Sequence, residues 1–173
     1  RPQYDSSREG FYWNDHIMPE QNALDFYKYD KKSASELHKA GFGIVNTHMQ
    51  DGIVRGTGSL IALANDANDS ERILSAKSAQ YSSMRKSVRS RQSYPTSPMG
   101  VFALLRQLKY DADWYATGNS KTSDQSLEAY LENQSQVQII AANSRANAIR
   151  VDNVGDDIGV NYLILGGGDE YER

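Results

Sequence analysis

VQIIAANSRANAIRVDNVGDDIGVNYLIL, residues 137–165, decides how this chain is read. Two short runs, VQIIAA (137–142) and VNYLIL (160–165), are apolar at nearly every position. Between them NSRANAIRVDNVGDDIG brings Ala146, Ile149, Val154 and Ile158 round at helical spacing. Strands that are apolar throughout are buried on both faces, and two of them joined by one helix make a βαβ unit with a parallel sheet.

Upstream, SPMGVFALLRQLKYDADWYATG predicts a long helix with Val101, Leu104, Leu105, Leu108 and Trp114 or Tyr115 on one face, up to Gly118. TSDQSLEAYLENQ predicts a second, with Thr122 and Gln125 in capping-box spacing and Leu127, Tyr130 and Leu131 inward. Nearer the start, DKKSASELHKAG has Asp30 as N-cap, Leu37 and Ala40 on one face and Gly41 as its stop. FGIVNTHM (about 43–49) then reads as a further parallel strand and SLIALA (59–64) as another short strand. Residues 65–98 read as one long loop, rich in Asn, Asp, Ser and basic residues.

With 173 residues and 39% hydrophobic composition the chain is long enough for one domain with a core. Its 19 basic and 22 acidic residues nearly cancel to a net charge of -3, which leaves no broad footprint for nucleic acid. Absence of cysteine excludes disulfides and thiolate chemistry and leaves the compartment open. No apolar run approaches the ~20 residues of a membrane span. A start in polar coil and an end at GGGDEYER, directly after an apolar strand, predict a piece of a larger protein.

Functional groups on a parallel sheet gather at the C-terminal strand ends. This nominates three loops on one face: His48 to Gly58, Ala141 to Arg145 and Gly166 to Tyr171. His48 and Asp51 are candidates for proton exchange or a metal, against the plainer reading of structural hydrogen bonds. Between Gly52 and Gly56, Arg55 either holds a substrate carboxylate or phosphate or pairs with a neighbouring acid. Asn143 and Arg145 are candidate substrate contacts, and Asp169 and Glu170 are candidate bases or ordinary helix-start acids. Gly166, Gly167 and Gly168 match neither a dinucleotide fingerprint nor a P-loop, so nucleotide binding is the weakest class. Arg85, Lys86, Arg89 and Arg91 form the only basic cluster, read as a solvated loop or an anion or partner site. Six aromatic residues between Phe11 and Tyr29 predict core or interface packing, with stacking on a ligand as the alternative.

Taken together, REGFYWNDHIMPEQNA, NTHMQDGIVRGTG, SYPTSPMGVFALLRQLKYDADWY and ANAIRVDNVGDDIGVNYLILGGGDEY resemble the amidohydrolase superfamily, in its imidazolonepropionase-like and dihydroorotase-like branch. The resemblance implies an internal fragment of a (β/α)8 TIM barrel, hydrolysis of a C–N bond in an amide or cyclic amide, a small-molecule substrate and a divalent metal. It also implies a secreted or envelope protein, with the remainder of the polypeptide or a second copy covering the cut sheet. Metal ligands are expected at the ends of VQIIAA and VNYLIL, where this chain has Ala141 and Gly166 or Gly167. No ligand is therefore assigned to this chain, and a barrel serving as an inactive binding or scaffold module is the alternative.

Overall fold

A computed structural model describes residues 8–64, 67–168 and 171. In chain order the elements are α1 (Ala23–Phe26), α2 (Lys31–Lys39), β1 (Ile44–Thr47), β2 (Val54–Thr57), β3 (Ser59–Ala62), α3 (Asp69–Arg72), β4 (Ile73–Ser75), β5 (Ala79–Ser83), α4 (Pro98–Ala116), α5 (Gln125–Asn133), β6 (Val137–Ala141), α6 (Arg145–Ile158) and β7 (Tyr162–Leu165). They form a four-stranded sheet in the order β2-β5-β6-β7 and a three-stranded sheet in the order β1-β3-β4.

The βαβ unit is present: β6 and β7 pair in parallel from Gln138↔Tyr162 to Ala141↔Leu165, joined through α6. Ser144 caps the helix, its side chain accepting from the Asn147 N–H, and Gly159 closes it in the left-handed region at φ 68°. The inward stripe is Val151, Val154, Gly155 and Ile158, so the expected phase is corrected at its start, where Ile149 is 57% exposed. On α4 the expected face of Val101, Leu104, Leu105 and Leu108 is buried, while Trp114 is exposed. α5 takes its cap from Asp124, whose carboxylate accepts from the Leu127 N–H, rather than from Thr122.

Two expectations are overturned. The strand at 44–47 is not parallel: it runs antiparallel to β3, from Ile44↔Ala62 to Thr47↔Ser59, in the smaller sheet. The parallel neighbour of β6 is β5, AQYSS, with Ala79↔Val137 through Ser83↔Ala141. Residues 65–98 are thus not one loop, because α3, β4 and β5 occupy much of that stretch. β2 joins β5 antiparallel, and no closed barrel is seen among the described residues.

The four-stranded sheet has two unlike faces. Val54, Ile140 and Ile164 face the core with Phe102, Leu105 and Leu108 of α4, Leu127 and Tyr130 of α5, and Val151, Val154 and Ile158 of α6. Strand alternation puts Tyr81, Ile139 and Leu163 on the other face, followed by Ser83, Ala141 and Leu165. Leu163 and Leu165 are each 54% exposed. Part of the aromatic-rich start packs as expected: Tyr12 is buried and donates to Asp111 at 2.6 Å, and Trp13 stacks on Tyr94.

Candidate functional site

Ser83, Ala141 and Leu165 end three parallel strands in register at one edge. Ala142 N–H donates to the Leu165 carbonyl at 2.9 Å, and a Cβ on Gly167 would come within 3.0 Å of the Asn143 carbonyl oxygen, so the loops after β6 and β7 touch. Gly52 and Ile53 reach the same edge from another direction. Ser83 N–H donates to the Ile53 carbonyl at 2.7 Å and Ser83 Oγ to the Gly52 carbonyl at 2.9 Å. They come there as the start of antiparallel β2, which is why Gly58 sits at the opposite end, donating to the Ala79 carbonyl. The expectation of three loops on one face is met only for part of the first loop.

Arg55 lies beside this edge, on the face opposite the helices, which is buried at β2 and β5 and exposed at β7. Its Nε donates to the Gly52 carbonyl at 3.1 Å, the same oxygen that accepts from Ser83 Oγ. The residue is 8% exposed. Burial and the nearby Arg85 charge pull its pKa below the ordinary guanidinium value, with Asp51 acting against them. His48 stacks on Tyr81 with ring centroids 3.8 Å apart and planes 6° from parallel. Its Nδ1 lies 2.8 Å from the Met49 carbonyl, so an Nδ1–H tautomer donates there and leaves Nε2 with its lone pair. Burial lowers the His48 pKa, the Met49 carbonyl opposes this, and the Arg55 charge adds to it, keeping the ring neutral at pH 7.

Asp51 is drawn away from His48. One carboxylate oxygen accepts from Ser87 Oγ at 2.6 Å, the other from the Val88 N–H at 2.8 Å, and Arg89 Nε lies 3.7 Å off. Burial would raise its pKa, but these bonds and Arg89 outweigh it and hold the carboxyl below its usual range. The same turn rests on His16, a fully buried ring whose Nδ1 accepts from the Ser87 N–H at 3.1 Å. The His16 carbonyl accepts from both Ile53 and Val54 N–H, at 2.8 and 3.1 Å. Although Ser87, Asp51 and His16 are neighbours, they are not wired as a nucleophilic triad: the serine hydroxyl donates to the acid, and the imidazole accepts from the backbone. Their work is to fix the 51–53 turn against residues 87–89. A cleft of about 260 Å³ opens next to them, lined among others by Arg8, Asp15, Met18, Asp51 and Arg89.

His48 and Asp51, a possible metal pair in the sequence, therefore have separate partners. Asn143 is exposed beside Gly167, and Arg145 opens α6 half-buried. Asp169 and Glu170 lie outside the described residues. The strand ends offer hydroxyl, methyl and glycine where a divalent ion needs imidazole or carboxylate. Among the described residues no group of three or more His, Cys, Asp or Glu converges. These residues do not fit such an ion. Sequence reasoning missed the roles of His16, Tyr81 and Ser87; AQYSS, which carries Tyr81, is too polar to read as a strand.

No protein-family model matches the chain, and no curated protein matches it significantly. Among solved structures it is similar to an amidohydrolase from Thermotoga maritima MSB8, with a TM-score of 0.70 and 17% sequence identity. The match covers 90% of this chain and 45% of that one. An amidohydrolase-like fold is thereby supported, and the chain spans under half the length of the protein it resembles.

Proposed function

We propose that this chain forms part of a hydrolase that opens the C–N bond of an amide or cyclic amide. The stretch from His48 to Arg55 and the loops that follow β6 and β7 would line its pocket. One observation carries the reading: over 90% of its length the chain is similar to an amidohydrolase fold, and its three parallel strands end together beside Arg55, with His48 stacked on Tyr81 of β5. A parallel sheet of this kind works at that edge. His48, neutral and with no bond to Nε2 among the described residues, is the group suited to take a proton from an attacking water, and Arg55 to hold the substrate. Asn143 and Arg145 would border the substrate from the next loop. In this reading metal ligands come from the rest of the polypeptide.

A second reading is favoured by Ala141 and Gly166, which cannot ligate: the barrel binds a small molecule without turning it over. The full-length protein, supplied in turn with zinc, manganese and iron, should hydrolyse at least one member of a panel of hydantoins, lactams and N-acyl amino acids. Metal content below ~0.1 ion per chain, together with no turnover, would leave only the binding module.

A further inference from the structure

Arg55 has a feature that fold support alone does not explain. A guanidinium carries five N–H donors, and in an enclosed place these are normally met by an acid or by carbonyls. Here only Nε is engaged, with the Gly52 carbonyl. Among the described residues neither Nη has a hydrogen-bond or ion-pair partner, although Arg55 is 8% exposed. Neither Nη is among the fully sealed polar atoms that lack a hydrogen bond, so the fork keeps a small accessible surface. The closest acid in influence, Asp51, has both oxygens committed to Ser87 and Val88 and faces Arg89. Arg85, exposed at the mouth of β5, adds a second positive charge rather than a counter-charge.

We propose that Arg55, with Arg85 beside it, is an oxyanion subsite on the face of the sheet opposite the helices, built to take the carboxylate or phosphate group of a small organic ligand. Planar carboxylates meet a guanidinium fork with two parallel hydrogen bonds, and burial strengthens them. Gly52 fixes the fork by holding Nε, which leaves both Nη groups to meet a ligand. Arg85 draws the anion in through its charge, an effect that weakens with salt.

This deepens the hydrolase reading by giving the substrate a charge, yet it is tested by binding alone. Titration of the full-length protein with benzoate, its neutral isostere benzamide, and inorganic phosphate should show saturable binding of one or both anions and none of benzamide. Arg55→Gln should weaken that binding at least tenfold, Arg55→Lys should restore only part of it, and Arg85→Ala should weaken it severalfold with a flatter salt dependence. Preference for benzoate identifies a carboxylate ligand, and preference for phosphate a phosphorylated one. Failure of both anions to bind overturns the subsite, as does equal affinity in Arg55→Gln and the unaltered protein. Should Arg55→Gln fail to fold, unchanged affinity in Arg85→Ala overturns it instead. Hydrolysis of neutral amides without anion binding would sink the subsite and leave the hydrolase reading standing; anion binding without hydrolysis would do the reverse.

Discussion

The two faces of the β2-β5-β6-β7 sheet are made by alternate residues of the same strands, and they have opposite chemistry. One carries Val54, Ile140 and Ile164 under α4, α5 and α6; the other carries Tyr81, Ser83 and Ala141 with half-exposed Leu163 and Leu165. Arg55 and His48 sit on the second face. Burial against helices pays for the fold, while the other face, buried at β2 and β5 and half exposed at β7, holds groups that would be costly in an apolar core.

The sharpest way to test that division is to cut a methyl-rich side chain from the covered face. Ile140 is 0% exposed, and Ile140→Ala should cost about 2–5 kcal/mol in urea unfolding, from lost burial and the cavity left behind. A cost under ~1 kcal/mol would mean the helices do not close on this face as described.

What could be read from the sequence follows the same division. β6, α6 and β7 were legible because their core face and much of their open face are apolar, so VQIIAA and VNYLIL stand out. β5 was not, since it sets Gln80 and Ser82 on one side and Tyr81 and Ser83 on the other, and such a run has the composition of a loop. β1 was legible as a strand but not in direction, because parallel or antiparallel pairing depends on a partner, here β3, that local pattern does not name. The sequence nominates Arg55 and His48 as residues of a loop after a parallel strand, whereas β1 is antiparallel in the smaller sheet and Arg55 lies within β2. Tying Asp51 to Ser87 required contacts 36 residues apart in the chain, which spacing cannot supply.

The edge where the faces meet depends on the 51–53 turn. Asp51→Ala removes the acceptor for Ser87 Oγ and Val88 N–H and should cost about 1.5–3 kcal/mol. Acid should act in two stages. Burial, followed by the Lys86 charge, depresses the His16 pKa, so the unfolded state binds that proton first; stability is complete above about pH 6.5 and falls as pH drops through this range. Asp51, also depressed, contributes stability above about pH 3.9 that is lost as pH falls through its folded value. Unfolding free energies from pH 8 to pH 3 measure both stages. Asp51→Ala should flatten the second while sparing the first.

Gly56 ties β2 to the segment before α1. At φ +80° a Cβ would stand 2.0 Å from the Gln21 carbonyl oxygen, whose bond from the Thr57 N–H holds the two segments together. Gly56→Ala should therefore cost on the order of 1–3 kcal/mol by thermal or urea unfolding. An unchanged stability would show that this approach is looser than 2.0 Å implies.

The smallest effect is expected on the open face, and it is the one that asks most of the comparison. Leu163 belongs to the strand that carries Ile164 into the core, but it is 54% exposed. Leu163→Ala should cost no more than about 0.5 kcal/mol, as at other surface positions. If instead it approaches the cost of Ile140→Ala, the face is covered in solution, and the dependence of the midpoint on protein concentration identifies the cover. A midpoint that rises with concentration points to a second copy of the chain, because association stabilises by mass action. A large cost that is independent of concentration points to other residues of the same polypeptide closing over Leu163, Leu165 and Ala141, and would extend the cover already present over Arg55 and Tyr81 across the rest of that face.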